Sequence, residues 1–427
     1  MNILVIGGGG REHAIIMKLS ESEKCEKIWC APGNGGISRY AECFPEIKAT
    51  DLDSICELAK ELDPDLVVVA PDDPLVMGLV DRLNDLGFKT FGPKANAAII
   101  EGSKVFSKDL MKKYNIPTAA YETFDNADAA IAYLKEQNKF PTVVKADGLA
   151  LGKGVIIAQN LDEAVDAVKN IMEDKVFGES GSKVVIEEFL TGPEISVLSF
   201  TDGNTVVPMI SSMDHKRAYD NDEGLNTGGM GTIAPNPCYT DERAKEALET
   251  IIYPTINALK SEGRPFTGCL YFGLMATPNG MKVIEYNCRF GDPEAQVVLP
   301  LLDTDLVDIM LSICDGKLSE IDVKWKNDSC ACVVMASGGY PVKYESGKEI
   351  SGLDAKGQCQ GAFVYHAGTK FADDKFLTAG GRVLGVTSTG EDLQSALDNA
   401  YAAVKSIDFD KAHYRNDIGQ RALCFKN

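Results

Sequence analysis

Apolar and polar positions along the first hundred residues alternate in the rhythm of strand and helix. Residues 2–6 are a short apolar run that breaks into glycines, and 12–19 follow with Ala14, Ile15 and Leu19 at helical spacing. Residues 27–31 predict a second strand, stopped by Pro32-Gly33-Asn34-Gly35-Gly36. Ser54 and Glu57 have the spacing of a capping box, opening a helix with Ile55, Leu58, Ala59 and Leu62 on one face. Residues 66–70 are wholly apolar, as suits a strand covered on both faces of a parallel sheet, and 89–91 predict another strand. This is the pattern of a doubly wound α/β unit over residues 1–102, with ligands expected at the carboxyl ends of its strands.

The rhythm then changes. A helix at 103–114 stops at Asn115-Ile116-Pro117, and strands at 120–124, 142–146, 155–158 and 183–189 enclose helices at 127–136 and 161–172. That is a small α+β module with a glycine loop between two of its strands. Longer strands are expected at 195–200, 206–211, 269–276 and 282–286, with helices at 241–261 and 306–314. Residues 326–427 form a further β-rich unit, with strands at 330–336, 361–366 and 382–388 and a helix at 393–406. The chain therefore reads as a multidomain α/β and α+β protein divided at 1–102, 103–325 and 326–427, with an insert at about 120–190.

Composition narrows the function. Of 427 residues, 44% are apolar and 25% charged, which is ordinary for a globular chain. Acids outnumber bases by 63 to 43, and a formal charge of −20 argues against nucleic acid as the main partner. No apolar run approaches the roughly 20 residues of a membrane span, and the apolar start is too short for a signal peptide. The 12 cysteines include no Cys-x-x-Cys pair, so disulfides and a zinc site are not expected and the cytoplasm is the expected location.

Five segments carry candidate chemistry. Gly7-Gly8-Gly9-Gly10-Arg11-Glu12-His13 joins a strand to a helix, where backbone N–H groups can meet an anion. Its spacing fails the dinucleotide fingerprint, because the third glycine position holds Glu12 or His13, and no Gly-Lys-Ser/Thr makes it a P-loop. A phosphate-bearing substrate and a plain tight turn both fit. Lys145-Ala146-Asp147-Gly148 begins a glycine loop that can close over a triphosphate, and Lys104 adds a second charge. Glu187 and Glu188 end a strand, and Glu194 suits ribose hydroxyls. Asp214-His215-Lys216-Arg217 and Asn226-Thr227-Gly228-Gly229 lie in a long polar loop, where Lys216 and Arg217 suit phosphate; His215 reads as a packing residue. In Glu285-Tyr286-Asn287-Cys288-Arg289, strand alternation puts Glu285, Asn287 and Arg289 on one face. Two adjacent oxygen ligands suit Mg²⁺, and Arg289 suits a transferring phosphoryl group.

Together these segments resemble the ATP-grasp ligases, and among them the glycinamide ribonucleotide synthetases, from end to end. Gly8-Gly9-Gly10-Arg11-Glu12-His13, Glu101-Gly102-Ser103-Lys104, Asp214-His215-Lys216-Arg217, Arg289-Phe290-Gly291-Asp292-Pro293-Glu294 and Gly380-Gly381-Arg382-Val383 carry the likeness. The resemblance implies a Rossmann-like N-terminal domain, an ATP-grasp core with an inserted lid, and a small β-rich C-terminal domain. It implies a monomeric enzyme in which glycine attacks ATP to give glycyl phosphate, and the amine of 5-phosphoribosylamine displaces phosphate. Carried onto this chain, Lys104, Lys145, Arg217 and Asn226 contact ATP phosphates, Glu187, Glu188, Phe189 and Leu190 hold the adenine edge, and Glu194 holds the ribose. Glu285 and Asn287 carry Mg²⁺ or Mn²⁺; Gly9, Gly10, Asn34, Asp214, Arg289 and Asp292 face the phosphoribosylamine, with Asp214 and Arg289 catalytic. The strand at 268–276 lacks the further metal-binding acid many ATP-grasp enzymes carry, which leaves the number of ions open. The loop 148–154 is the natural lid over a water-sensitive acyl phosphate.

Overall fold

The computed structural model describes residues 1–149, 154–174, 176 and 178–425. Its first sheet is parallel: β1 (Asn2–Gly7), β2 (Lys27–Pro32), β3 (Glu42–Cys43), β4 (Leu66–Val69) and β5 (Thr90–Phe91) lie in the order β3-β2-β1-β4-β5. All four β4 side chains are buried, as its unbroken apolar run requires. The strand order reverses between β1 and β4, so Gly7 and the turn at Pro71-Asp72 frame a ligand crevice. The helix Gly10–Leu19 begins at that crevice. The helix expected to open at Ser54 opens earlier, as Leu52–Leu62: Asp51 caps it, accepting the Ser54 N–H at 3.1 Å, and a carboxylate there also meets the positive end of the helix.

The insert is an antiparallel sheet of β6 (Tyr121–Phe124), β7 (Thr142–Ala146), β8 (Val155–Ala158) and β9 (Val184–Glu188), ordered β6-β9-β7-β8. The helices Ala127–Gln137 and Leu161–Met172 pack on it around a core of their own, including Leu134, Val144, Val168 and Ile186. The glycine loop assigned as lid falls at 150–153 outside the described residues.

The chain continues with β10 (Glu194–Asp202), β11 (Val206–Pro208), β12 (Met213–Asp214), β13 (Arg217–Tyr219), β14 (Glu223–Asn226), β15 (Gly231–Ala234), β16 (Thr267–Thr277) and β17 (Gly280–Asn287). The expected polar loop is therefore a run of four short strands, β12 to β15; glycines and single-turn lengths hide its period. Sheet β11-β10-β16-β17 faces the insert's strands across a cleft. A register slip between Gly273 and Leu274 leaves Ile284 as an extra residue in β17. Met281 and Val283 before this bulge and Tyr286 and Cys288 after it are buried. The bulge thus turns odd-numbered Glu285 and Asn287 away from the core and into the cleft.

The last strands are β18 (Ser329–Ser337), β19 (Phe363–His366), β20 (Thr369–Ala372), β21 (Lys375–Thr378), β22 (Arg382–Gly390) and β23 (Ala412–His413). β18, β19, β22 and β23 join earlier strands in the order β12-β15-β18-β22-β19, with β23 beside β18, so one sheet combines strands from both sides of residue 326, while β20 and β21 pair with each other. One hydrophobic core runs from Leu4 and Ile6 to Val333 and Val386. Among the described residues no helix is long and apolar enough to cross a membrane.

Candidate active site

The bulge in β17 does two things. It presents Glu285 and Asn287 side by side, and it frees the Ile284 carbonyl, which accepts from Lys145 Nζ at 3.2 Å. Lys216 Nζ lies 3.4 Å from Glu285 Oε1. Lys216, then Lys145 and Lys104, hold the Glu285 carboxyl down to about 2 from its ordinary 4.5. Of the cations expected from sequence, Lys104 and Lys145 act with Lys216 on this one carboxylate, while Arg217 and Arg289 engage other partners. Because folded Glu285 binds its proton more weakly than the unfolded chain does, this stabilisation is complete above about pH 4.5 and is lost as pH falls through about 2. Lys216→Met is accordingly expected to lose less stability than the parent between those values, measured by urea unfolding at stepped pH.

Beside the insert, Lys104 begins the helix Lys104–Lys113, whose N-cap is Ser103. Asp147, just past β7, accepts from Ser103 Oγ at 2.9 Å and Val105 N at 2.8 Å, which pins that helix end to the insert. Lys104 Nζ reaches the Gly148 carbonyl at 3.0 Å. Glu187 is not an adenine contact by its side chain: it is 4% exposed and is held by Lys145 at 3.0 Å and Lys108 at 3.1 Å. Burial pushes Lys108 down to about 8. This triad joins the insert to the main cleft, since Lys145 also binds β17. Glu188 is likewise engaged, with Lys282 Nζ at 2.8 Å and Ala120 N at 3.0 Å. Phe189 and Leu190 follow the last paired residue of β9, outside its ladder, and Phe189 is exposed.

Strand alternation separates Lys216 from Arg217. Lys216 points inward between Glu194 and Glu285, 3.4 Å from each, and those carboxylates raise its pKa. Arg217 points the other way and donates to the Gly224 carbonyl of its own hairpin at 2.8 Å. Asn226 pairs with Arg217 at the base of that hairpin, and Thr227 beside it binds the Lys216 carbonyl. Asp214, on the Lys216 side, sits near Glu294; burial pushes both carboxyls upward, helped by Glu294 in the case of Asp214 and by Asp292 in the case of Glu294. Glu294 accepts from Ser196 Oγ at 3.4 Å, which in turn meets Tyr271 Oη at 2.9 Å. His215 is a packing residue, as expected, with Nδ1 on the Gly231 carbonyl and Nε2 accepting from Gly419 N.

The glycine turn closes the other end. Gly8 has no room for a side chain, since a Cβ would lie 2.5 Å from the Gly33 carbonyl oxygen. Gly9 N–H is already taken by Glu12 Oε2 at 2.6 Å. The N–H groups of Gly10 and Arg11 begin the helix, where no intrahelical acceptor exists for them. Asp292 faces this turn and is held by Gln296 Nε2 at 2.8 Å and Arg382 at 3.2 Å; burial opposes its ionisation, but Arg382 and Arg11 keep its pKa low. Arg382 also donates to the carbonyls of Gly228 at 2.7 Å and Asp292 at 2.9 Å. Arg289 binds Glu101 Oε1 at 2.9 Å and Asn287 Oδ1 at 3.2 Å, with Asp72 at 3.7 Å, so it bridges the end of β17 and the helices Asp72–Val76 and Ala95–Gly102.

Asn34 is placed differently from a ligand contact. Its amide donates to the carbonyls of Gly8 at 2.9 Å and His366 at 2.7 Å, and its oxygen accepts from Gly36 and Ile37, each at 2.9 Å. Its amide thus ties the glycine turn to β19, and its oxygen closes its own turn at Gly36 and Ile37. Asn34→Ala is expected to cost about 2–4 kcal/mol of stability in chemical unfolding, because the carbonyls left behind are partly buried.

Sequence reasoning named Lys216 and Arg217 alike as suiting phosphate but carried the ATP contact onto Arg217 alone, and it gave no role to Glu101, Asp72, Glu294 or Arg382. The parity of Asp214 and Lys216 would have favoured Lys216. Glu101 and Arg382 come from segments distant in sequence, and only the packing brings them to Arg289 and Asp292.

Comparison with known proteins agrees along the whole chain. Family models of phosphoribosylglycinamide synthetase match as the N domain over residues 1–101, the ATP-grasp (A) domain over 102–295 and the C domain over 330–421. A phosphoribosylamine–glycine ligase of Caldanaerobacter subterraneus is 47% identical over 98% of this chain and 99% of the relative. One from Escherichia coli is 46% identical, over 99% of each. The crystal structure of the Thermotoga maritima phosphoribosylamine–glycine ligase superposes with a TM-score of 0.84 at 33% identity, covering 98% of this chain and 100% of that one. A Campylobacter jejuni biotin carboxylase shares the fold alone, at 14% identity and a TM-score of 0.74 over 97% of this chain and 92% of that one. With near-complete coverage at this identity and all three models matched in order, the chain belongs to the phosphoribosylglycinamide synthetase family of ATP-grasp ligases.

Proposed function

We propose that the cleft between β17, the inserted sheet and the glycine turn joins glycine to 5-phosphoribosylamine by way of glycyl phosphate. The chain is a carbon–nitrogen ligase of purine biosynthesis that forms glycinamide ribonucleotide, ADP and phosphate, using ATP with Mg²⁺ or Mn²⁺. The observation that carries the proposed route is the convergence of Lys104, Lys145 and Lys216 on Glu285. A carboxylate attacking a triphosphate brings negative charges together, and preorganised cations relieve that repulsion most as charge shifts in the transition state.

In this reading, Lys104 and Lys145 hold ATP phosphates, and Lys216 takes the role expected of Arg217 and Asn226. The backbone of Phe189 and Leu190 reads the adenine edge, and Glu194 accepts from the ribose. Glu285 is ionised at neutral pH and Asn287 offers an amide oxygen on the same face, a donor pair that fits a hard divalent cation. When bound, that ion withdraws charge from the phosphate oxygens. Asp214 and Glu294, both pushed upward by burial, gain a counter-ion when glycine's ammonium enters between them. Arg289 meets the transferring phosphoryl group. The Gly10 N–H at the helix start takes the phosphate of phosphoribosylamine, and Asp292 orients its ribose end. Residues 1–102 thus serve the amine substrate, 103–325 the nucleotide and 326–427 the closure of the cleft. We place the enzyme, as a monomer, in the cytoplasm.

The test is ADP release with glycine and freshly made phosphoribosylamine, each omitted in turn. Hydroxylamine trapping should yield glycyl hydroxamate from ATP and glycine. Turnover that ignores glycine and responds to bicarbonate would replace this reading with a carboxylating one.

A further inference from the structure

We propose that Arg415 is a positioning residue for this reaction, setting Asp214 and Lys216 in the cleft through the strand that carries them. The proposal rests on the reading that those two side chains meet the substrates.

From 214 to 217 the chain is extended, and its two faces have different neighbours. Asp214 and Lys216 face the cleft, Lys216 between Glu194 and Glu285. His215 faces the opposite way and accepts from Gly419 N at 3.0 Å. The segment after β23 lies along this outer side. Arg415 is 1% exposed, among the largest fully buried side chains of the protein, yet no substrate group assigned above touches it. Its Nη1 binds the Arg217 carbonyl at 3.2 Å and Asp222 Oδ1 at 3.0 Å, gripping the first strand and the turn of the β13–β14 hairpin. Asp417 orients the guanidinium with two bonds of 2.8 Å, and its Oδ2 also accepts from Asn221 N at 2.8 Å. His413 Nε2 lies 2.7 Å from the Ala218 carbonyl.

A two-residue strand such as β12 has few ladder bonds of its own, and the hairpin's tip is solvent-exposed, with Tyr219 and Leu225 half-exposed. The outer grip adds to the backbone bonds that His215 makes with Gly231 and Met230, at 2.9 and 2.8 Å, by holding the hairpin that continues from this strand. A shift of about 1 Å in a group that positions a reacting atom can cost on the order of a hundredfold in rate. A buried guanidinium spanning one carbonyl and two carboxylates is a stiff way to prevent that shift, because its planar fork leaves little freedom once bonded.

Arg415→Met keeps much of the volume and removes the grip. The expected result is a fall in kcat of about thirtyfold, KM for phosphoribosylamine within twofold, and ATP-dependent glycyl hydroxamate formation reduced in parallel with kcat. Asp222→Asn, at a partly exposed partner, is expected to give the same split with a smaller, roughly fivefold loss, and it carries the test should Arg415→Met fold poorly. Arg415→Lys should recover part of kcat. A purely structural role would lower the thermal midpoint and leave kcat per folded molecule unchanged; kcat within twofold of the parent in both variants overturns the proposal. Parental turnover by Lys216→Met would instead remove the site reading beneath it.

Discussion

Glutamine in place of Glu285 is expected to lower turnover about a thousandfold, the upper range for losing one charged group from a preorganised site. The carboxylate performs two tasks that the amide cannot. It is an anionic oxygen donor beside Asn287, and it is the counter-ion that holds Lys216, Lys145 and Lys104 around one point. In Glu285→Gln the lysines keep their places less firmly, since mutual repulsion among them is no longer offset; Lys216 retains only Glu194. The variant should also need much higher Mg²⁺ for half-maximal rate. Steady-state ADP release against Mg²⁺ concentration measures both, and a rate within threefold of the parent would exclude Glu285 from the reacting site.

The second large effect is at Arg289. Alanine there should abolish product formation, by on the order of 10²–10³, while ATP binding stays close to that of the parent, because Lys104, Lys145 and the edge of β9 are untouched. It also carries a stability cost. Glu101 is buried, and its Oε1 loses the guanidinium at 2.9 Å while Oε2 keeps only the Cys288 N–H. Leaving a buried carboxylate without its partner costs roughly 3–5 kcal/mol. The double variant Arg289→Ala, Glu101→Gln separates the two consequences. Stability should largely return and activity should not. Equilibrium ATP binding, urea unfolding and turnover on the same preparations check this, and normal turnover by Arg289→Ala would take the residue out of its proposed role.

The parallel sheet was legible because its strands are short apolar runs with glycine or proline at their ends. The burial of Leu66, Val67, Val68 and Val69 follows from composition alone. In the cleft, the shared face of Glu285 and Asn287 was legible from the two-residue repeat of an extended chain. The site was misread where several groups compete for one position. Arg217 and Lys216 are equally cationic, and only the pairing of β12 with β15 decides which turns inward. Asn34 and Glu187 are polar residues in telling motifs, yet each is consumed by neighbours that sequence spacing does not reveal. The four strands between 213 and 234 went unseen because two- to four-residue strands have no period to detect.

By itself the sequence determined the class of chemistry: the glycine turn, the lysines and the Glu-x-Asn-x-Arg strand are local patterns, set by covalent neighbours and by the two-residue repeat of an extended chain. What the tertiary structure alone decided is which of those groups share a cleft and which brace it. The bulge at Ile284, the Lys145–Glu187–Lys108 triad and the reach of Arg382 and Arg415 into earlier strands all join residues far apart along the chain. Such partners are chosen by burial and by the cost of leaving a buried charge unpaired, and neither quantity exists until the chain has folded.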